Sequence, residues 1–346
     1  MHVVDGREIK LCEATAHEAV CDLHARLGRD VYVLNVVCKD GVCADYYFDG
    51  IEELQFLYRC AAVTDKYTFL QSYDHVKTTV RQATRCMEER DINLDSIVLA
   101  RERATSILNG VCGRDFACYA ANNMPRITSK GDNCVVKPGF KGMDNIGFYV
   151  IVPDEDWFEL VAGCGVRTVQ LRAKGRPLAE VERMVEACSL IAEKHGTRLI
   201  VNDYWDLAIK YGAYGVHLGQ EDMGHADFDL LLRSGIRLGI STHCYHELAR
   251  ANFYGPSYIG FGPIYQTTSK DMRFFAQGVE LLRKWVKISE CPVVAIGGIT
   301  LSNVYEVTAC RAEGTAVISA VTGSNDPEDT IKRFIDICCR EPGSLS

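Results

Sequence analysis

From Gly147 onward the chain repeats one pattern: a short unbroken apolar run, then a stretch with helical spacing. The runs are Phe148–Val152, Thr168–Leu171, Leu199–Val201, Gly215–Leu218, Leu238–Ser241, Tyr258–Phe261, Val293–Ile296 and Ala316–Ser319. Apolar runs this short read as strands buried on both faces. Between them, Pro177 to His195 carries Leu178, Val181, Met184, Val185, Cys188 and Ile191 on one stripe, with charges opposite. Leu230 to Leu232, Glu247 to Phe253, Val279 to Ile288, Ser302 to Cys310 and Asp326 to Cys339 mark further helices. Eight strands alternating with helices over roughly 195 residues predict a small (β/α)8 TIM barrel, fold class α/β. A doubly wound open sheet is the alternative; even spacing favours closure.

The part before the barrel is less regular. Residues 1–112 read as a smaller α+β domain of unassigned function, 113–145 as a linker rich in Gly, Asn and Lys, and 146–346 as the barrel. Val31 to Val37 and Ala44 to Phe48 are expected strands about the turn at Asp40-Gly41. Thr15 to Leu27, Ile51 to Cys60, His75 to Glu89 and Asn93 to Leu108 have helical spacing. This half shows no phosphate loop, no metal-ligand spacing and no nucleophile–base arrangement. A chain starting near Asp144 is therefore expected to fold and act alone.

Composition excludes several classes. A net charge of −8 argues against a nucleic-acid or anionic-membrane partner. No apolar run approaches the roughly 18 residues of a membrane span, and the N-terminus lacks the pattern of a signal peptide. A cytoplasmic location follows as an expectation. The 16 cysteines form no paired C-x-x-C arrangement, so most are expected to be reduced and buried.

In a barrel of this kind function sits at the C-terminal ends of the strands. Those ends supply Gln170, Arg172 and Lys174; Asn202 and Asp203; Gln220 and Asp222; Ser241 and His243; Thr267 to Lys270; Gly297-Gly298; and Ile318 with Ser319. Asp203 and Asp222 stand 19 positions apart but follow consecutive strands, so both can face one crevice. Two carboxylates beside Asn202 suit Mg2+, which fills the rest of its coordination with water and phosphate oxygens. Each Asp could equally cap the helix that follows it. The glycines after the seventh strand and the amides after the eighth match the usual phosphate position of such barrels. Arg172, Lys174 and Lys270 with a metal would hold a second, more highly charged group such as a diphosphate.

The motifs V-Q-L-R-A-K, V-N-D-Y-W-D-L-A, G-V-H-L-G-Q-E-D, G-I-S-T-H, Y-I-G-F-G-P-I-Y-Q-T-T-S-K, V-A-I-G-G-I and A-V-I-S-A occur in this order from about Phe148 onward. Together they resemble the thiamine phosphate synthase family. The resemblance does not reach the first 145 residues. It implies a transferase of thiamine biosynthesis that joins a hydroxymethylpyrimidine diphosphate to a thiazole phosphate by a dissociative route. It also implies that Asp203 and Asp222 bind Mg2+, and that Lys270, Arg172 and Lys174 act on the leaving diphosphate. Gln170, Arg172, Lys174, Asn202, Ser241 and Lys270 would hold the pyrimidine diphosphate, and Leu171, Ala173 and Thr268 are further substrate-binding candidates. Thr267, Ser269, Gly298, Ile318 and Ser319 would hold the thiazole phosphate. Ser269 stands where the family often has Thr; the hydroxyl is retained.

Partners are then two small molecules, with no nucleic acid and no membrane; a homo-oligomer is left open. Two rival readings remain. A tautomerase of the same fold would use His243 as acid and base but would not need the full set of cations and carboxylates. A catalytically inert barrel serving the first domain would not need Asp203, Asp222 and Lys270.

Overall fold

In a computed structural model the chain is described over residues 2–5, 13–39, 42–59, 66–83, 88–108, 124–129, 139–267 and 274–338. It divides into two compact units, Met1–Lys137 with Cys244–Phe253, and Pro138–His243 with Tyr254–Ser346. Among the described residues no helix is long and apolar enough to cross a membrane.

The first unit holds β1 (His2–Asp5), α1 (Glu13–Leu27), β2 (Val31–Lys39), β3 (Val42–Phe48), β4 (Glu53–Arg59), α2 (Lys66–Ala83), α3 (Glu89–Leu108) and β5 (Arg126–Ser129). Its sheet runs β1-β2-β3-β4-β5, with β1 parallel to β2 and the other neighbours antiparallel. Three expectations fail here. The stretch from Ile51 to Cys60 is not helical, because β4 pairs along its whole length with β3 and buries Leu54, Phe56, Leu57 and Tyr58. Tertiary pairing overrides a spacing that alone suits a helix. The 113–145 segment is not simply a linker either: β5 completes the sheet against β4, and Met143 is buried in the barrel core. The helix expected from His75 to Glu89 instead straddles the end of α2 and the start of α3.

A polar network lies wholly inside this unit. Tyr32 donates to Asp45 Oδ2 at 2.8 Å, Tyr58 reaches Asp45 Oδ1 at 3.1 Å, and Arg101 pairs with the same carboxylate. A buried pair whose remaining lone pairs are hydrogen-bonded offsets its desolvation. The network ties α3 to the middle of the sheet.

The second unit is a closed barrel in which every strand pairs in parallel with its neighbours. Its strands are β6 (Gly147–Val152), β7 (Thr168–Leu171), β8 (Arg198–Asn202), β9 (Gly215–Leu218), β10 (Arg237–Thr242), β11 (Tyr258–Phe261), β12 (Val293–Ile296) and β13 (Gly314–Val317). The helices are α4 (Glu155–Gly163), α5 (Leu178–His195), α6 (Trp205–Lys210), α7 (Phe228–Ser234), α9 (Gly278–Ile288), α10 (Val304–Thr308), α11 (Ser319–Thr322) and α12 (Pro327–Cys338), while α8 (Tyr245–Tyr254), between β10 and β11 in the chain, groups with the first unit as far as Phe253. Pairing of β13 with β6 closes the ring, and Phe148 stacks on Phe334 of α12 at 4.9 Å to cover the seam.

The last strand sits two residues earlier than the apolar run suggests. Gly314 and Thr315 pair with β6 and are buried, which leaves Ile318 beyond the strand and Ser319 as the first residue of α11. Inside the ring Tyr149, Ile151, Ile200, Tyr258, Val294 and Ala316 pack together, closed at one end by Met143 and Ile146. Residues of separate strands can meet in this way only within the barrel.

Candidate active site

Asp203 follows the last residue of β8, in a left-handed conformation at φ 65°. Few side chains other than Gly, Asn and Asp adopt that region, and such outliers gather at functional sites. Its N–H donates to His217 O of β9 at 3.0 Å, so the ladder fixes the turn that presents the carboxylate. The capping alternative fails for both acids. Tyr204, not Asp203, caps α6 and makes no side-chain cap bond. Asp222 opens a short 3-10 helix and turns its Oδ2 backward to accept from Gly219 N at 3.1 Å.

The two carboxylates meet. Burial raises the Asp203 carboxyl above its ordinary range, hydrogen-bonding and charge from Asp222 raise it further, and Lys174 opposes both. Lys174 Nζ stands 3.2 Å from Asp203 Oδ2. Three strand ends therefore bring two acids and one cation together. Adjacent carboxylates are a donor set that a hard divalent cation fits, since the cation removes their repulsion. Asn202 is buried beside them, and its Nδ2 meets no hydrogen-bond partner among the described residues. A buried amide nitrogen in that state is suited to donate to a ligand.

A hydrogen-bonded chain crosses the barrel interior beneath these groups. Gln170 Nε2 donates to Tyr149 Oη at 2.7 Å, and Tyr149 Oη lies 2.9 Å from Tyr258 Oη. Tyr258 Oη is 3.0 Å from His217 Nδ1, and His217 Nε2 is 2.9 Å from Ser241 Oγ. Gln220 Nε2 closes the rim by donating to Ser241 O at 2.7 Å. Burial holds both phenols protonated far above the usual tyrosine range. Gln170 and Ser241 are thus fixed through residues that sequence reasoning missed, namely Tyr149, His217 and Tyr258. The signal was there in principle: in G-V-H-L, Val216 and Leu218 are buried and the polar residue stands between them.

Gly239 makes room for the chain, since a Cβ there would lie 2.2 Å from Tyr258 Cζ. Across the ring, Gly297 and Gly298 take φ of 101° and 66°, and a Cβ on Gly298 would lie 2.5 Å from Gln266 O. Asn303 Nδ2 holds this turn by donating to Gly298 O at 3.0 Å.

Arg172 is half-buried and Leu171 and Ala173 are buried, with the Arg172 N–H donating to Val152 O at 2.8 Å. Thr267 is half-buried at the end of its described segment. Thr268, Ser269 and Lys270 lie outside the described residues. His243 stacks flat on Phe274, with ring centroids 4.7 Å apart and planes 2° from parallel.

A family model described as thiamine monophosphate synthase matches residues 149–321. The thiamine-phosphate synthase of Serratia proteamaculans is 46% identical over 182 residues, covering 52% of this chain and 86% of that protein. That of Neisseria meningitidis is 45% identical over 188 residues, covering 54% of this chain and 92% of that protein. Among solved structures, the thiamine phosphate pyrophosphorylase of Pyrococcus furiosus superposes with a TM-score of 0.51 at 29% identity, over 56% of this chain and 96% of that one. Each match covers little more than half of this chain. The barrel carries them, and by it the chain belongs to the thiamine monophosphate synthase family.

Proposed function

We propose that the C-terminal rim of the barrel binds a hydroxymethylpyrimidine diphosphate and a thiazole phosphate side by side and couples them to thiamine phosphate. The observation that carries this reading is the meeting of Asp203, Asp222 and Lys174 at adjoining strand ends. In the coupling, the bond from the pyrimidine methylene carbon to the diphosphate oxygen breaks and its electron pair leaves with the diphosphate. The thiazole nitrogen lone pair then forms the new C–N bond. No proton is abstracted, so no general base is required.

The chain's own residues bind and orient. Lys174, Arg172 and Lys270 would stabilise the growing negative charge of the leaving group, a form of electrostatic stabilisation that is strongest where water is excluded. Asn202 and Gln170 offer amide donors, and Leu171, Ala173 and Ser241 complete the pyrimidine diphosphate site. Thr267, Thr268, Ser269, Gly298, Ile318 and Ser319 offer hydroxyls and main-chain amides to the thiazole phosphate. Asp203 and Asp222 would hold Mg2+, which when bound neutralises charge on the departing diphosphate.

The test is incubation of the full chain with both substrates and Mg2+, followed by chromatography for thiamine phosphate and release of diphosphate. Formation of both in equal amounts is expected. Neither product, with the substrates recovered intact, would overturn the proposal.

A further inference from the structure

We propose that Asp95, Cys244 and His246 form a zinc site inside the first unit, with Asp91 orienting the imidazole. Asp91 and Asp95 lie one turn apart on α3, and both are buried. Cys244 and His246 come from the Cys244–Phe253 segment, which packs with this unit although it follows β10 in the chain. His246 Nδ1 lies 2.9 Å from Asp95 Oδ1 and 3.2 Å from Cys244 Sγ. One ligand atom from each of the three residues falls within 4.8 Å of the other two. His246 Nε2 lies 3.4 Å from Asp91 Oδ1.

These contacts can be read without a metal, as a hydrogen-bonded cluster holding the segment to α3. Two features favour an ion. Cys244 Sγ lies 3.2 Å from Nδ1 and 3.7 Å from Nε2, over the imidazole and off the in-plane axis of either nitrogen, so the close sulfur–ring contact is not a well-directed hydrogen bond. Asp95 Oδ1 is also already engaged by the His246 main-chain N–H at 2.9 Å. With the imidazole turned so that Nδ1 faces the sulfur, one ion would engage sulfur, nitrogen and carboxylate together. The second feature is Asp91: its Oδ1 stands 3.4 Å from Nε2, and closing that gap to a hydrogen bond when an ion binds would hold the hydrogen there and leave Nδ1 with its lone pair. Metal-bound histidines are held in this way.

The donor set selects the ion. Mg2+ and Ca2+ take oxygen ligands, whereas a thiolate with an imidazole and a carboxylate suits the borderline-soft Zn2+ in tetrahedral geometry. Three protein ligands leave one position for water. The site is chemically distinct from the all-oxygen pair at Asp203 and Asp222, and its ion would fasten the Cys244–Phe253 segment to α3.

The experiment uses the full chain, reduced and stripped with a chelator, then titrated with Co2+ as a spectroscopic substitute. One equivalent is expected to give a sulfur-to-cobalt charge-transfer band with intense visible bands of four-coordinate cobalt, all discharged by Zn2+. Cys244→Ser should abolish the charge-transfer band, and Asp91→Asn should weaken Zn2+ binding roughly 10–100-fold while leaving the band in place at saturation. No band in the wild type, or an unchanged band in Cys244→Ser, would overturn the proposal; with 16 cysteines in the chain, the second result would place the ion elsewhere. Zinc-edge X-ray absorption on the loaded wild type needs no variant. A coordination sphere of one sulfur and otherwise nitrogen and oxygen is expected, and two or more sulfurs would contradict this ligand set.

Discussion

Lys174 Nζ stands 3.2 Å from Oδ2 of Asp203, the cation after one strand resting on the carboxylate after the next. In a site that binds a diphosphate as its Mg2+ complex, the lysine is then poised between protein carboxylate and ligand oxygen. A charge-assisted hydrogen bond contributes roughly 1.5–3 kcal/mol. Lys174→Met should therefore raise KM for the pyrimidine diphosphate about tenfold or more. The half-saturating Mg2+ concentration should not rise, because Asp203 loses a competitor for its charge. Initial rates across both concentrations check this, and an unchanged KM would remove Lys174 from the binding set.

The interior chain from Gln170 to Ser241 depends on the space that Gly239 leaves. A methyl at this position would overlap the buried Tyr258 ring, whose hydroxyl joins Tyr149 to His217. Overpacking of this kind costs roughly 1–3 kcal/mol. Gly239→Ala should lower stability by that amount in urea denaturation and raise KM for the pyrimidine diphosphate through displaced Ser241 and Gln170. Wild-type stability with wild-type KM would mean that the chain does not position the rim.

Legibility differed by element. Seven of the apolar runs coincide with barrel strands to within a residue at either end, since doubly buried parallel strands have few other patterns to show. The eighth was misplaced because Gly314 and Thr315 are not apolar, yet β6 pairs with them. The polar residues within the strands went unread: treating each run as uniformly buried hides the alternation that sends Tyr149, His217 and Tyr258 inward. That Asp203 and Asp222 come together was legible because consecutive strands share an edge. Asp95 and His246 were not, being 151 positions apart and joined only by tertiary packing.

His243 lies stacked on Phe274. A coupling that abstracts no proton asks nothing of its imidazole. His243→Ala should retain coupling within about tenfold of the wild type. A loss of 10²–10⁴-fold, the scale of a removed general acid or base, would point instead to tautomerase-like chemistry.

The barrel needs more chain than its strands. Met143 is buried in the interior cluster, and Phe140 N donates to Gly255 O at 2.8 Å. A chain beginning at Pro138 keeps both contacts; one beginning at Asp144 loses both. The shorter chain should be less stable by about 2–5 kcal/mol, the range for truncating a buried methionine. Urea denaturation of the two compares them directly, and equal midpoints would mean that residues 138–143 add nothing to the barrel.

The pairing of Asp203 with Asp222 is the centre of the account, and Asp222→Asn tests it most directly. Asparagine keeps an oxygen to accept from Gly219 N, so the turn at the end of β9 survives while one of two fixed anions is lost. Turnover at low Mg2+ should fall about 10²–10³-fold, the scale of losing one electrostatic contact to developing charge. Raising Mg2+ should recover part of it, KM for the thiazole phosphate should hardly change, and the melting temperature should stay within about 3 °C. Initial rates across a Mg2+ titration, with melting curves alongside, give the answer. Near-normal turnover at low Mg2+ would contradict a metal at these carboxylates and remove it from the mechanism.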